Sequence, residues 1–250
     1  MIPWGSRTGL AAAAALMAAA LTATGAAPAT DAGTPAGHQG PAPRAEGIAL
    51  ASSSLVATLR GPAPGSASPG GPVDATVPGT WFGAPSVLPV LAQADGQLEV
   101  ALAQRPDGST AWIPASSATL SATPYRIVVD LSTETLLLYR AGQLEMIAPT
   151  GIGTAADPTP TGSFFVALDA VAPSAAWGSF VLVTSAHSAA ISDWEQSGDA
   201  IVAIHGPLGA DAAIGTSGAR VSHGCIRLHD EDLARLAVVP PGSPVDIVAG

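Results

Sequence analysis

The chain of 250 residues contains a single cysteine, Cys225, and no lysine. A lone cysteine cannot close a disulfide within the chain, so no disulfide framework supports the fold. Without lysine, acyl enzymes that pair serine with lysine are excluded. The nine basic residues are all arginine and the formal net charge is −10, which argues against a basic face for nucleic acid. Neither CxxC nor HExxH occurs, and the spacing of His205, His223 and Cys225, with His187 or His229 as a further ligand, fits no usual zinc module. No metal site is expected. There is no repeat of solenoid length. The Ala/Leu run Leu10 to Leu21 falls short of the roughly 20 residues that cross a bilayer, so no stable membrane span is expected.

What is present divides the chain. Residues 1–29 read as an export signal: Arg7, then the apolar run, then the small residues Gly25 to Ala29. An uncleaved anchor is the competing reading. Residues 30–46, rich in Ala, Gly, Pro and Thr, read as a flexible linker. Residues 47–122 read as a small β unit. Its clearest signal is a hairpin from Leu88–Gln93 to Leu98–Gln104 through Asp95-Gly96, and Asp107-Gly108 turns the chain into Thr110–Pro114. Trp81 and Trp112 are expected to fill its core.

Residues 123–250 have stronger patterning. Tyr125–Asp130, Thr135–Tyr139 and Gln143–Ala148 predict a three-strand meander turning at Arg140-Ala141-Gly142. Asp157 to Thr161 is too proline-rich for a strand interior. Further strands are predicted over Phe164–Leu168, Phe180–Thr184, Ala200–Ile204 and Pro244–Val248. One short helix, Glu231–Ala237, is expected with Asp230 as its cap.

The chemistry concentrates in Val221-Ser222-His223-Gly224-Cys225-Ile226-Arg227-Leu228. A thiol is mostly protonated at neutral pH and needs a base to become a nucleophile. His205, at the end of an apolar run, is the candidate base. The Gly206 carbonyl is placed to orient its imidazole, with Asp211 and Asp193 as rival orienters. Gly224 permits close approach of the backbone, and the amides of His223, Gly224 and Cys225 are candidate oxyanion donors. Arg227 shares a face with Cys225 in an extended segment. It either clamps a substrate carboxylate or pairs with a structural acid such as Asp230. His38, His187 and His229 are read as surface or linker residues.

His205, sixteen intervening residues and then Ser222-His223-Gly224-Cys225-Ile226-Arg227-Leu228 resemble the signature of the L,D-transpeptidases, cysteine enzymes that cross-link bacterial peptidoglycan. Ile127 to Ser132 and Pro158 to Phe164 are similar to stretches of the same family. The resemblance covers about Pro124 to Ala249. It implies a mainly β fold: a β-sandwich or barrel-like catalytic domain with a short helix, here preceded by a small β-barrel-like unit. It implies Cys225 as nucleophile, His205 as base, Gly206 as orienter, amides near Cys225 as oxyanion hole, and Ser222 and His223 as residues shaping the site. The expected reaction is acyl transfer from a tetrapeptide stem, with release of D-alanine and formation of a 3→3 link. The expected partners are peptidoglycan stem peptides, with carbapenems as inhibitors, and no cofactor is required. An exported protein, either acting in the cell wall or periplasmic space or secreted, is expected. The rivals are a secreted cysteine carboxypeptidase or peptidase, a wall-binding module with a dead site, and a structural β protein with a buried thiol.

Overall fold

The computed structural model describes residues 51–194, 197–216 and 218–250, so the proposed export signal, the whole linker with His38, and residues 47–50 of the first β unit lie outside the described residues. The fold is mainly β. In the first unit the strands of the main sheet are β1 (Ser54–Leu59), β2 (Val87–Ala94), β3 (Gln97–Ala101), β4 (Thr110–Pro114) and β5 (Ala118–Thr123). They form a curled antiparallel sheet in the order β4-β3-β2-β1-β5. The β2–β3 hairpin turns at Asp95 and Gly96, whose φ values of 51° and 74° are those such a tight turn requires. Leu98 and Val100 are buried on one face of β3, as alternation predicts.

Trp112 departs from expectation. On β4 the inward residues are Ala111 and Ile113, so the period of two turns Trp112 the other way and leaves it half-buried. Trp81 packs partly buried against the core, as expected.

The second half contributes β6 (Tyr125–Asp130), β7 (Thr135–Arg140), β8 (Gln143–Pro149), β9 (Gly162–Val171), β10 (Phe180–His187), β11 (Ile201–His205), β12 (Ile226–Arg227) and β13 (Pro244–Val248). They run in the order β8-β7-β6-β13-β9-β10-β11-β12. The meander turns at Ala141 and Gly142, both at positive φ. Strand β9 changes partner along its length: Gly162–Phe165 pair with β13, and Val166–Val171 pair with β10. The sheet therefore folds into two layers over one core, in which Ile127, Val129, Leu136 and Val245 meet Leu182, Val202, Ile204 and Ile226.

Helix α1 (Asp230–Arg235) closes one end, and Leu233 and Leu236 enter the same core. Its cap differs from expectation. His229 holds the extended cap conformation without a side-chain bond to the helix, and Asp230 is the first helical residue. The Asp230 carboxylate is turned instead toward Gly206, yet its charge still favours the helix N-terminus. Among the described residues no helix is long and apolar enough to cross a membrane.

Candidate active site

Parallel pairing of β11 with β12 brings together residues that are far apart in sequence. Ile204 faces Ile226, His205 faces Arg227, and the Leu228 N–H donates to the His205 carbonyl at 2.9 Å. Cys225 immediately precedes β12, and its thiol lies near the backbone of Ala203. His205 and Cys225 line one cleft together with Trp177, Ile191, Trp194, His223 and Arg227. No hydrogen bond joins Sγ to the imidazole here; such bonds commonly tighten only when substrate is bound.

His205 is 1% exposed, and its Nδ1 lies 2.8 Å from the Gly206 carbonyl. A carbonyl only accepts, so Nδ1 carries the proton and Nε2 keeps its lone pair. The Trp177 ring packs on the imidazole, with centroids 4.3 Å apart. Burial, aided by the Arg227 charge and opposed by the Gly206 bond, lowers the His205 pKa to about 3. The imidazole is neutral at neutral pH, with one nitrogen ready to take a proton. Asp211 and Asp193 do not orient it: Asp211 pairs with His229 at 2.7 Å, and Asp193 accepts from the Gly198 N–H.

Gly206 is tightly enclosed. A Cβ there would lie 2.7 Å from Asp230 Oδ1, 2.7 Å from Gly178 N and 2.8 Å from the Trp177 carbonyl carbon. Its N–H donates to the Trp177 carbonyl at 2.8 Å. The orienting carbonyl is thus fixed by helix α1 on one side and the Trp177 turn on the other.

Burial raises the Cys225 thiol above its ordinary pKa, against the opposing pull of the Ala203 backbone and the Arg227 charge. The resting pair is therefore a neutral thiol beside a neutral imidazole. Arg227 is 8% exposed, and its Nε has no hydrogen-bond partner. The alternative pairing with Asp230 is not formed, since among the described residues Arg227 makes no ion pair.

Ser222, Gly224 and His223 take distinct parts in the cysteine loop. Ser222 is buried; its hydroxyl donates to the Cys225 carbonyl at 2.6 Å and accepts from the Gly224 N–H at 3.1 Å. It braces the loop, and its bonding capacity is used there rather than on a ligand. The Gly224 amide is accordingly tied to Ser222, which leaves the His223 and Cys225 amides as the candidate oxyanion donors. Gly224 itself sits at φ 118°, a conformation that favours glycine. His223 is exposed, lies against Trp194 with ring centroids 4.9 Å apart, and its Nε2 is 3.8 Å from Asp157.

Thr159 carries no signal of its own in the sequence beyond its place in the Pro158–Phe164 stretch. The buried Thr159 hydroxyl donates to the Gly224 carbonyl and accepts from the Gly153 N–H, both at 2.9 Å. It ties the proline-rich loop to the cysteine loop. His187 also departs from expectation: it is 2% exposed and held between two carboxylates, far from a surface or linker residue.

Residues 124–247 match the family model for the L,D-transpeptidase catalytic domain. This half of the chain belongs to the L,D-transpeptidase family. A Bacillus licheniformis protein named as a YkuD-type L,D-transpeptidase is 32% identical over 125 residues, which is 50% of this chain and 66% of that protein. Its Bacillus subtilis counterpart is 31% identical over the same shares. The chain thus spans 66% of the length of these curated relatives. Among solved structures, an L,D-transpeptidase from Mycobacterium smegmatis is 17% identical with a TM-score of 0.41, covering 65% of this chain and 90% of that one. An L,D-transpeptidase solved in complex with imipenem is 17% identical with a TM-score of 0.40 over the same shares.

Proposed function

We propose that the protein is an exported L,D-transpeptidase that forms 3→3 peptidoglycan cross-links through a Cys225 acyl enzyme. The observation that carries this reading is the His205 imidazole, held neutral by burial with Nε2 unprotonated, in the same cleft as the only thiol of a family domain. Sγ attacks the carbonyl of the L,D peptide bond that follows the third residue of a tetrapeptide stem, and its proton passes to His205 Nε2. The tetrahedral oxyanion is met by amides of the cysteine loop. The C–N bond breaks, the proton goes to the departing D-alanine amine, and a thioester remains. The side-chain amine of a neighbouring stem then attacks the thioester, loses its proton to His205 and takes the acyl group. Water as acceptor would make the enzyme a carboxypeptidase. Arg227, buried beside the thiol with Nε unpartnered, is suited to hold a substrate carboxylate. A carbapenem would acylate the same sulfur by opening its β-lactam ring.

Intact-protein mass spectrometry with and without a carbapenem, beside Cys225→Ala, tests the nucleophile. A stoichiometric adduct on the wild type alone supports the reading, and an adduct on Cys225→Ala refutes it. Product analysis with stem tetrapeptides, with and without an amine acceptor, then separates transpeptidation from hydrolysis.

A further inference from the structure

Two carboxylates, an arginine and a histidine meet where the first β unit touches the catalytic half, and the proposed mechanism uses none of them. His187, buried at the end of β10, has Nδ1 2.5 Å from Asp107 Oδ1 and Nε2 3.3 Å from Asp199 Oδ2. Its backbone N–H also donates to Asp107 Oδ2 at 3.2 Å. Arg105 Nε lies 2.7 Å from Asp199 Oδ1, and its Nη2 donates to the Ile191 carbonyl at 3.0 Å. Asp199 further accepts from the Ala200 N–H at 2.7 Å.

The span of Arg105 is the informative feature. One guanidinium from the first unit holds both Ile191 and Asp199, and the Trp194 N–H donates to the Asp199 carbonyl at 2.9 Å. Ile191 and Trp194 both line the Cys225 cleft, and Trp194 lies on His223 within the cysteine loop. An apolar contact between the units would hold them together without fixing the Ile191–Trp194 segment. A fork of directional, charge-assisted bonds sets its position.

We propose that Arg105 and Asp107 of the first β unit are positioning residues for the Ile191–Trp194 wall of the Cys225 cleft. Asp107 acts through His187 and Asp199, and Arg105 acts directly. The first unit is then a working part of the acylation site, and the substrate it helps to seat is the stem peptide, so the proposal rests on the transpeptidase reading above.

The test uses the full chain as wild type, Arg105→Gln, Arg105→Lys and Asp107→Asn, with Arg126→Gln as a control at the separate Arg126–Asp246 ion pair. Two quantities are measured: hydrogen exchange of peptides spanning Ser188–Trp194, and the second-order rates of Cys225 modification by a carbapenem and by a small thiol reagent. Arg105→Gln should speed exchange in that segment and slow carbapenem acylation by about tenfold or more, leaving the small-reagent rate unchanged. Arg105→Lys should recover part of the loss, Asp107→Asn should follow Arg105→Gln, and Arg126→Gln should match wild type. Arg105→Gln with wild-type exchange, or with a lower melting temperature but wild-type acylation, overturns the proposal. If the wild type forms no carbapenem adduct, the transpeptidase reading fails, and the exchange comparison alone decides whether Arg105 positions the wall.

Discussion

Gly206→Ala is the sharpest perturbation of the base. Gly206 is not among the glycines at positive φ, so the effect comes from contact. The added methyl would approach Asp230 Oδ1 and Gly178 N to 2.7 Å and the Trp177 carbonyl carbon to 2.8 Å, and two of these three atoms are backbone. Something must move, at an overpacking cost of about 1–3 kcal/mol. The simplest displacement carries the Gly206 carbonyl away from His205 Nδ1, which leaves a buried N–H unpaired for about 1–3 kcal/mol more. The total, about 2–6 kcal/mol, is a large part of the stability of an ordinary domain. The imidazole is then free to place its proton on Nε2, where it cannot receive one from the thiol, so acylation should fall by about 10²–10⁴. Thermal unfolding and the carbapenem acylation rate measure the two effects. Gly61→Ala is the control, since a Cβ there has nothing within 4 Å. Gly206→Ala with wild-type melting and wild-type acylation would refute the claim that this carbonyl sets the tautomer.

Thr159→Val keeps the shape but leaves the Gly224 carbonyl and the Gly153 N–H without the partner they share, and should lower stability by about 2–4 kcal/mol in a denaturant melt. Arg227→Gln removes the charge that favours the thiolate and disfavours the imidazolium, so the pH profile of Cys225 alkylation should move to higher pH. The acid limb of Cys225 acylation should lie well below the ordinary histidine range, because His205 stays neutral down to about 3. The same depressed pKa makes the unfolded chain bind the extra proton first. The stability His205 contributes is therefore complete above about 6.5 and is lost as pH falls from there toward about 3, a trend that His205→Gln should flatten in melts run across that window.

The parts of the fold that local chemistry dictates were legible in the residues. Asp95-Gly96 and Ala141-Gly142 mark turns because few residues accept positive φ, and the alternation in β3 follows from the two faces of a strand. The cysteine and its base could be named because no other residue in the chain could supply a thiol, and because the motif around it is specific. The illegible parts depend on long-range partners. Nothing near Thr159 signals a bond to Gly224, and nothing near His187 announces that Asp107 and Asp199 will enclose it. Ser222 and Gly224 sit in the motif, yet only the folded loop shows that they bond to each other and so withdraw one amide from the cleft. Trp112 shows the limit of reasoning from size: a bulky aromatic suits a core, but the strand period decided which side it took.

Strand β9 has a consequence for how the molecule comes apart. Phe164 points into the core of the catalytic half, while its neighbour Phe165, with Ala167, points into the core of the first unit. Gly242, next to β13, packs so close to Val56 and Val87 that a Cβ would come within 2.8 Å of Val56. One strand is thus a party wall between two rooms: melting either side strips the plaster from the other. The catalytic half and the unit before it, separable on paper near residue 123, should lose their structure together in one cooperative transition.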